Sequence, residues 1–255
     1  MSTIRTDGID YDIIGDDMQL VEVELDPQEG VRAEAGTMIY MEDGVRMQTD
    51  TGGGLFKGFK RMVSGESFFI TTFVHEGQGK SHVAFAAPYP GKIIPVQLDD
   101  FGGEFLCQKD AFLCANASVE IEVAFTKRMG AGLFGGEGFI LQRLTGQGWT
   151  FIHAGGTVVE RTLEAGETLR IDTGCLAAFS SSIDYDIEFI GGFKNALFGG
   201  EGLFLTTLTG PGTVYLQSLP FSRLADRIVA GELANRGESE GPGGTGILGD
   251  LISGS

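Results

Sequence analysis

The chain has 255 residues, with 35 acids against 18 Lys and Arg, a formal charge of −17, and 41 glycines. That balance, without a basic run, excludes phosphate-backbone binding through counterion release, and so excludes nucleic acid as a partner. It also opposes direct attachment to anionic membranes, and leaves solubility or a cationic partner as its meaning.

Nineteen Phe and a hydrophobic share of 42% supply a core for one large β domain that needs neither disulfide nor metal. The first ten residues carry no apolar signal region. No stretch approaches the roughly 18 apolar residues of a membrane span. Cys107, Cys114 and Cys175 are odd in number and sit in apolar strand contexts. They are expected as free thiols in a reducing compartment, which places the protein in the cytoplasm.

The first predicted strand is Val21 to Leu25, where aliphatic and acidic residues alternate with a period of two. Phe68 to Val74 is a second, an apolar run ended by glycines. His75 and His82 flank Glu76 to Ser81. If 77–80 is a hairpin loop, the two imidazoles face each other across paired strands and can share a metal; otherwise they are an exposed polar pair. Val119 to Val123 again alternates aliphatic and acidic residues, and Phe139 to Leu144 is another glycine-bounded apolar strand. His153 stands alone in an apolar strand and reads as structural.

Leu-Phe-Gly-Gly-Glu-Gly occurs at 133–138 and again at 197–202. The same offset separates Glu137 from Glu201 and Gly148 from Gly212, which marks an internal repeat. Ser64-Gly65-Glu66 with the strand after it is a first copy, and Leu25-Asp26 … Glu29 … Val31-Arg32 matches Leu163-Glu164 … Glu167 … Leu169-Arg170. The middle copy is degenerate around Gly102-Gly103. The units run about 18–91, 92–156 and 157–219.

The expected fold is all-β. It consists of three tandem β-sandwich-like repeats around a pseudo-threefold axis, with a short C-terminal helix. That helix, 223–236, is capped by Ser222 and carries a stripe of Leu224, Ile228, Val229 and Leu233. It completes a single domain, 1–237. Residues 238–255 read as a flexible Gly-rich tail, or as a tethered plug built on Ile247 to Ile252.

Gly130 to Gly135 satisfies Gly-x-Gly-x-x-Gly but precedes a strand pattern, so no cofactor is expected. Glu66, Glu137 and Glu201 are repeat equivalents: either a carboxylate ring able to hold a cation, or caps on turn amides. Leu133-Phe134 and Leu197-Phe198 either close the ends of the core or form a patch for another subunit. No hydrolase pair, Gly-x-Ser-x-Gly, Cys-x-x-Cys or Walker sequence stands out.

The hexapeptides, the run Gly202 to Gly212, and Leu219-Pro220-Phe221-Ser222-Arg223-Leu224-Ala225 resemble the Aim-twenty-four (altered inheritance of mitochondria) family. The resemblance covers about residues 10–235 and implies β-sandwich-like units similar to the tryptophan RNA-binding attenuator fold. Bacterial and archaeal members have no assigned function, and mitochondrial relatives are linked to inner-membrane organisation. The resemblance defines no catalytic residues. The expectation is a non-catalytic, self-associating scaffold or binding protein, a homo-oligomer with a further protein partner. The alternative is a metal or small-molecule binder, or an enzyme, using His75/His82 or the Glu ring.

Overall fold

The computed structural model describes residues 8–34, 36–49, 70–127, 139–189 and 204–239. An opening strand, β1 (Asp10–Ile14), precedes three blocks of six strands. The first block holds β2 (Leu20–Leu25), β3 (Gly30–Glu34), β4 (Met38–Met41), β5 (Val45–Thr49), β6 (Ile70–His75) and β7 (Ser81–Ala86). The second holds β8 (Gly91–Gln97), β9 (Glu104–Gln108), β10 (Phe112–Asn116), β11 (Glu120–Lys127), β12 (Phe139–Thr145) and β13 (Trp149–Gly155). The third holds β14 (Val158–Leu163), β15 (Thr168–Asp172), β16 (Leu176–Ser180), β17 (Asp184–Phe189), β18 (Phe204–Thr209) and β19 (Gly212–Gln217).

One pairing scheme recurs in each block. The last strand lies between the first and third (β2-β7-β4, β8-β13-β10, β14-β19-β16), and the fifth lies between the second and fourth (β3-β6-β5, β9-β12-β11, β15-β18-β17). Every ladder among the described strands is antiparallel. Blocks join where the second strand of one pairs with the third strand of the next, β3 with β10 and β9 with β16. Two six-stranded sheets result, β5-β6-β3-β10-β13-β8 and β11-β12-β9-β16-β19-β14. At the ends remain a three-stranded sheet, β15-β18-β17, and the four-stranded β1-β2-β7-β4. Among the described residues no ladder joins β15 to β4, so the pairings run in a line.

Three cores form, each drawing residues from two neighbouring blocks, because a sheet with one apolar face must bury it against another. Val21, Val23 and Leu25 point inward from β2 and meet Phe73, Phe85 and Phe151, while Glu22 and Glu24 stay on the outer face. The middle core holds Leu98, Phe105, Phe112, Leu144 and Ile152. The third gathers Phe139, Leu141, Leu163, Phe179, Leu208 and Val214. Cys107 and Cys114 are buried free thiols, and Cys175 is half-buried.

The helix α1 (Phe221–Ser239) starts one residue before Ser222 and forms a separate unit. Ile228 and Val229 of the expected apolar stripe are exposed on it. No described helix is long and apolar enough to cross a membrane.

Candidate functional site

The structure does not bring His75 and His82 together. Strand β6 lies in the sheet with β3 and β5, and β7 lies in the sheet with β2 and β4, so 76–80 crosses between sheets and is no hairpin loop. The shared-metal expectation fails on that topology. His75 is buried, and both of its ring nitrogens serve the crossover itself. Gly77 N donates to Nδ1 at 3.4 Å, which leaves the proton on Nε2, and Nε2 donates to the Gly79 carbonyl at 3.1 Å. Glu76 pairs with Arg46 at 2.7 Å. Glu66, Glu137, Glu201, Leu133, Phe134, Leu197 and Phe198 lie outside the described residues, as does Gly130 to Gly135.

His82 sits on the outer face of the four-stranded sheet, directly opposite Glu24 of β2. Its Nδ1 lies 2.8 Å from Glu42 Oε2, and its Nε2 lies 3.5 Å from Glu24 Oε2. Lys80 pairs with the same Glu24, and the Tyr40 hydroxyl donates to Glu22. The hydrogen bond to Glu42 holds the imidazole above its ordinary pKa, against a smaller opposing effect of burial. That bond in turn holds the Glu42 carboxyl below its usual value, and the Lys80 bond does the same for Glu24.

This grouping rests on a repeated structural device. Glu42 Oε2 also accepts the backbone N–H of His82 at 2.8 Å. At the matching positions of the other blocks, Asn116 Oδ1 accepts Trp149 N at 2.7 Å and Ser180 Oγ accepts Thr213 N at 2.9 Å. A different acceptor thus pairs the same backbone N–H three times. Sequence reasoning missed Glu42; the signal was three short polar side chains at matched spacing, hidden by their differing chemistry.

A second polar group is buried between the first two blocks. The Tyr89 hydroxyl donates to the Asp110 carbonyl at 3.2 Å, and its ring packs edge-on against His153 at 4.5 Å. Burial, with Asp110 nearby, pushes Glu34 up to about 7; burial pushes the His153 imidazole down to about 4. The thiol of Cys107 is pushed up by burial as well. His153 is buried in an apolar strand, as its sequence context implies. Among the described residues no group of three His, Cys, Asp or Glu is placed to hold a metal ion.

Among the described residues β4 exposes consecutive apolar side chains. Ile39 is 50% exposed, Tyr40 40% and Met41 41%, whereas the equivalent strands β10 and β16 are buried at every residue. The edge β15 is likewise more exposed than its equivalents β3 and β9.

These features define an all-β protein of linked antiparallel sandwiches, with its polar side chains largely committed to holding strands and crossovers. The chain belongs to the family described as mitochondrial biogenesis AIM24, whose profile matches residues 11–219. It is 33% identical over 214 residues to an uncharacterized protein of Streptococcus pyogenes serotype M6, covering 81% of this chain and 84% of that one. It is also similar to a Streptococcus pyogenes protein known from an X-ray crystal structure, with a TM-score of 0.71 and 29% identity. That match covers 87% of this chain and 99% of the other.

Proposed function

We propose that this chain is a non-catalytic scaffold or binding protein that self-associates and presents its β blocks to a protein partner. The observation that carries the reading is β4, a strand whose Ile39, Tyr40 and Met41 face solvent where the matching strands of the other blocks are buried. The commitment of His75 and His82 to local hydrogen bonds supports it, since neither ring is left poised for chemistry. The free thiols fit a reducing cytoplasm. The family's link to mitochondrial biogenesis fits an organising role near membranes, reached through a protein receptor because the charge of −17 opposes anionic lipid. Sedimentation equilibrium of the full chain tests the reading. Masses at multiples of 27.1 kDa support it, and a monomer at every concentration overturns it.

A further inference from the structure

We propose that β15 of one copy pairs antiparallel with β4 of the next, so that the chain assembles head to tail. The inference deepens the self-association reading and rests on it. Each complete sheet joins a trio from one block, fourth-fifth-second strand, to a trio from the next, third-last-first strand. Among the described residues two trios are left without their complement, β17-β18-β15 and β4-β7-β2. Placed edge to edge across two copies, they give a third sheet of the same strand order, with β1 added beyond β2. The remaining sheet edges, β1, β5, β8, β11, β14 and β17, have no equivalent paired across a block junction. Among the described residues, β4 and β15 are the edges whose counterparts pair across a block junction.

The internal junctions also set the register. Ala33 faces Cys114 and Arg32 faces Ala115 in one; Cys107 faces Ala178 and Leu106 faces Phe179 in the other. The matching pairs across copies are Ile171 with Tyr40 and Arg170 with Met41. Arg32 additionally donates from Nη1 to the Val119 carbonyl at 2.9 Å across its junction. Arg170 occupies the same place on β15, exposed, and the acceptor matching Val119 in the next copy is the Val45 carbonyl. An unpaired strand edge with apolar side chains is a template for such a ladder. A heterologous contact of this kind closes as a ring or continues as a filament.

Two singly substituted chains, Met41→Cys and Arg170→Cys, each in a Cys175→Ala background, test the ladder. Directly opposed residues lie roughly 5 Å apart, within disulfide range. Oxidation of the mixture is expected to give a cross-linked dimer that neither protein gives alone. Met41→Lys sets a cation against Arg170 and is expected to shift the sedimenting species to the 27.1 kDa monomer. Met41→Glu sets an anion there and is expected to keep the assembly, which separates loss of pairing from loss of folding. Multimers that survive Met41→Lys without the mixed cross-link overturn the ladder and leave self-association standing. A protein monomeric throughout overturns both. A third chain carries both Met41→Cys and Arg170→Cys; if it cross-links within itself, with no gain in mass, internal closure of β15 on β4 replaces the ladder and overturns it too.

Discussion

Glu34 shows how one side chain can set a pH dependence. It ends β3, and burial beside Asp110 raises its pKa from 4.5 to about 7. The matching residue of the second block is Gln108, a neutral amide that accepts from Gln217 Nε2 at 3.2 Å. An acid whose folded pKa is raised stabilises the fold fully below its unfolded value and loses that contribution as pH rises through the folded one. The window is therefore about 4.5 to 7, and the shift corresponds to roughly 3 kcal/mol. Glu34→Gln is expected to gain stability relative to the parent across that window, by about 2–3 kcal/mol at its upper end, in urea melts at stepped pH. A difference between the two proteins that stays flat with pH would refute the burial account.

His82 runs in the same direction on the surface, but a hydrogen-bonded carboxylate rather than burial raises its pKa. Its raised pKa gives a contribution complete below 6.5 and lost as pH climbs through the folded value. Glu42, lowered by the same bond, contributes above 4.5 and is lost as pH falls through its own folded value. The pair acts together between those limits. In an NMR titration the His82 ring is expected to titrate above 6.5, and Glu42→Gln to bring it back towards that value. No movement on substitution would remove Glu42 as the cause.

At the scale of elements, junctions are held by buried polar side chains as much as by apolar ones. Gln217, at the end of β19, accepts from Gly155 N at 2.9 Å, donates to Gln108 Oε1 at 3.2 Å and reaches the Gly174 carbonyl at 3.1 Å. One amide thus ties β13, the end of β9 and the turn before β16. Gln217→Ala leaves a buried N–H and two acceptors without their partner and is expected to cost about 3 kcal/mol. Chemical denaturation measures it; a cost within experimental error would show that the neighbours rearrange to satisfy one another.

Elements were legible in the sequence where local pattern decides them. Strand β2 follows from the alternation of Val21, Glu22, Val23, Glu24 and Leu25, and β12 from the apolar run that opens at Phe139. The route of 75–82 was not legible. A glycine-rich link between two strands fits a hairpin and a crossover equally well, and only the partners of β6 and β7, drawn from residues far away in the chain, distinguish them. Glu42 escaped notice because Asn116 and Ser180 do its work elsewhere with different atoms. The apolar residues of β4 look in sequence like any half-buried strand, and their exposure emerges only from which strand pairs with which.

For the whole molecule, the competition is between a charge of −17 on every copy and an edge built for backbone pairing. Like charges spread over two surfaces oppose association over a screening length of about 8 Å at physiological ionic strength, and over a longer one in dilute buffer. The ladder between β15 and β4 would draw on backbone hydrogen bonds and the apolar contacts of Ile39, Tyr40 and Met41, which salt does not screen. Added salt therefore removes the opposing term and leaves the favourable one in place. The assembled fraction is expected to rise with sodium chloride when followed by light scattering at fixed protein concentration. The acidic partners of β2, Glu22 and Glu24, are engaged within one copy by Tyr40 and Lys80. They supply no ion pair between copies whose screening would reverse that sign. Assemblies that dissolve as salt is raised would instead assign the contact to opposite charges across copies, and would direct attention away from the β4 edge.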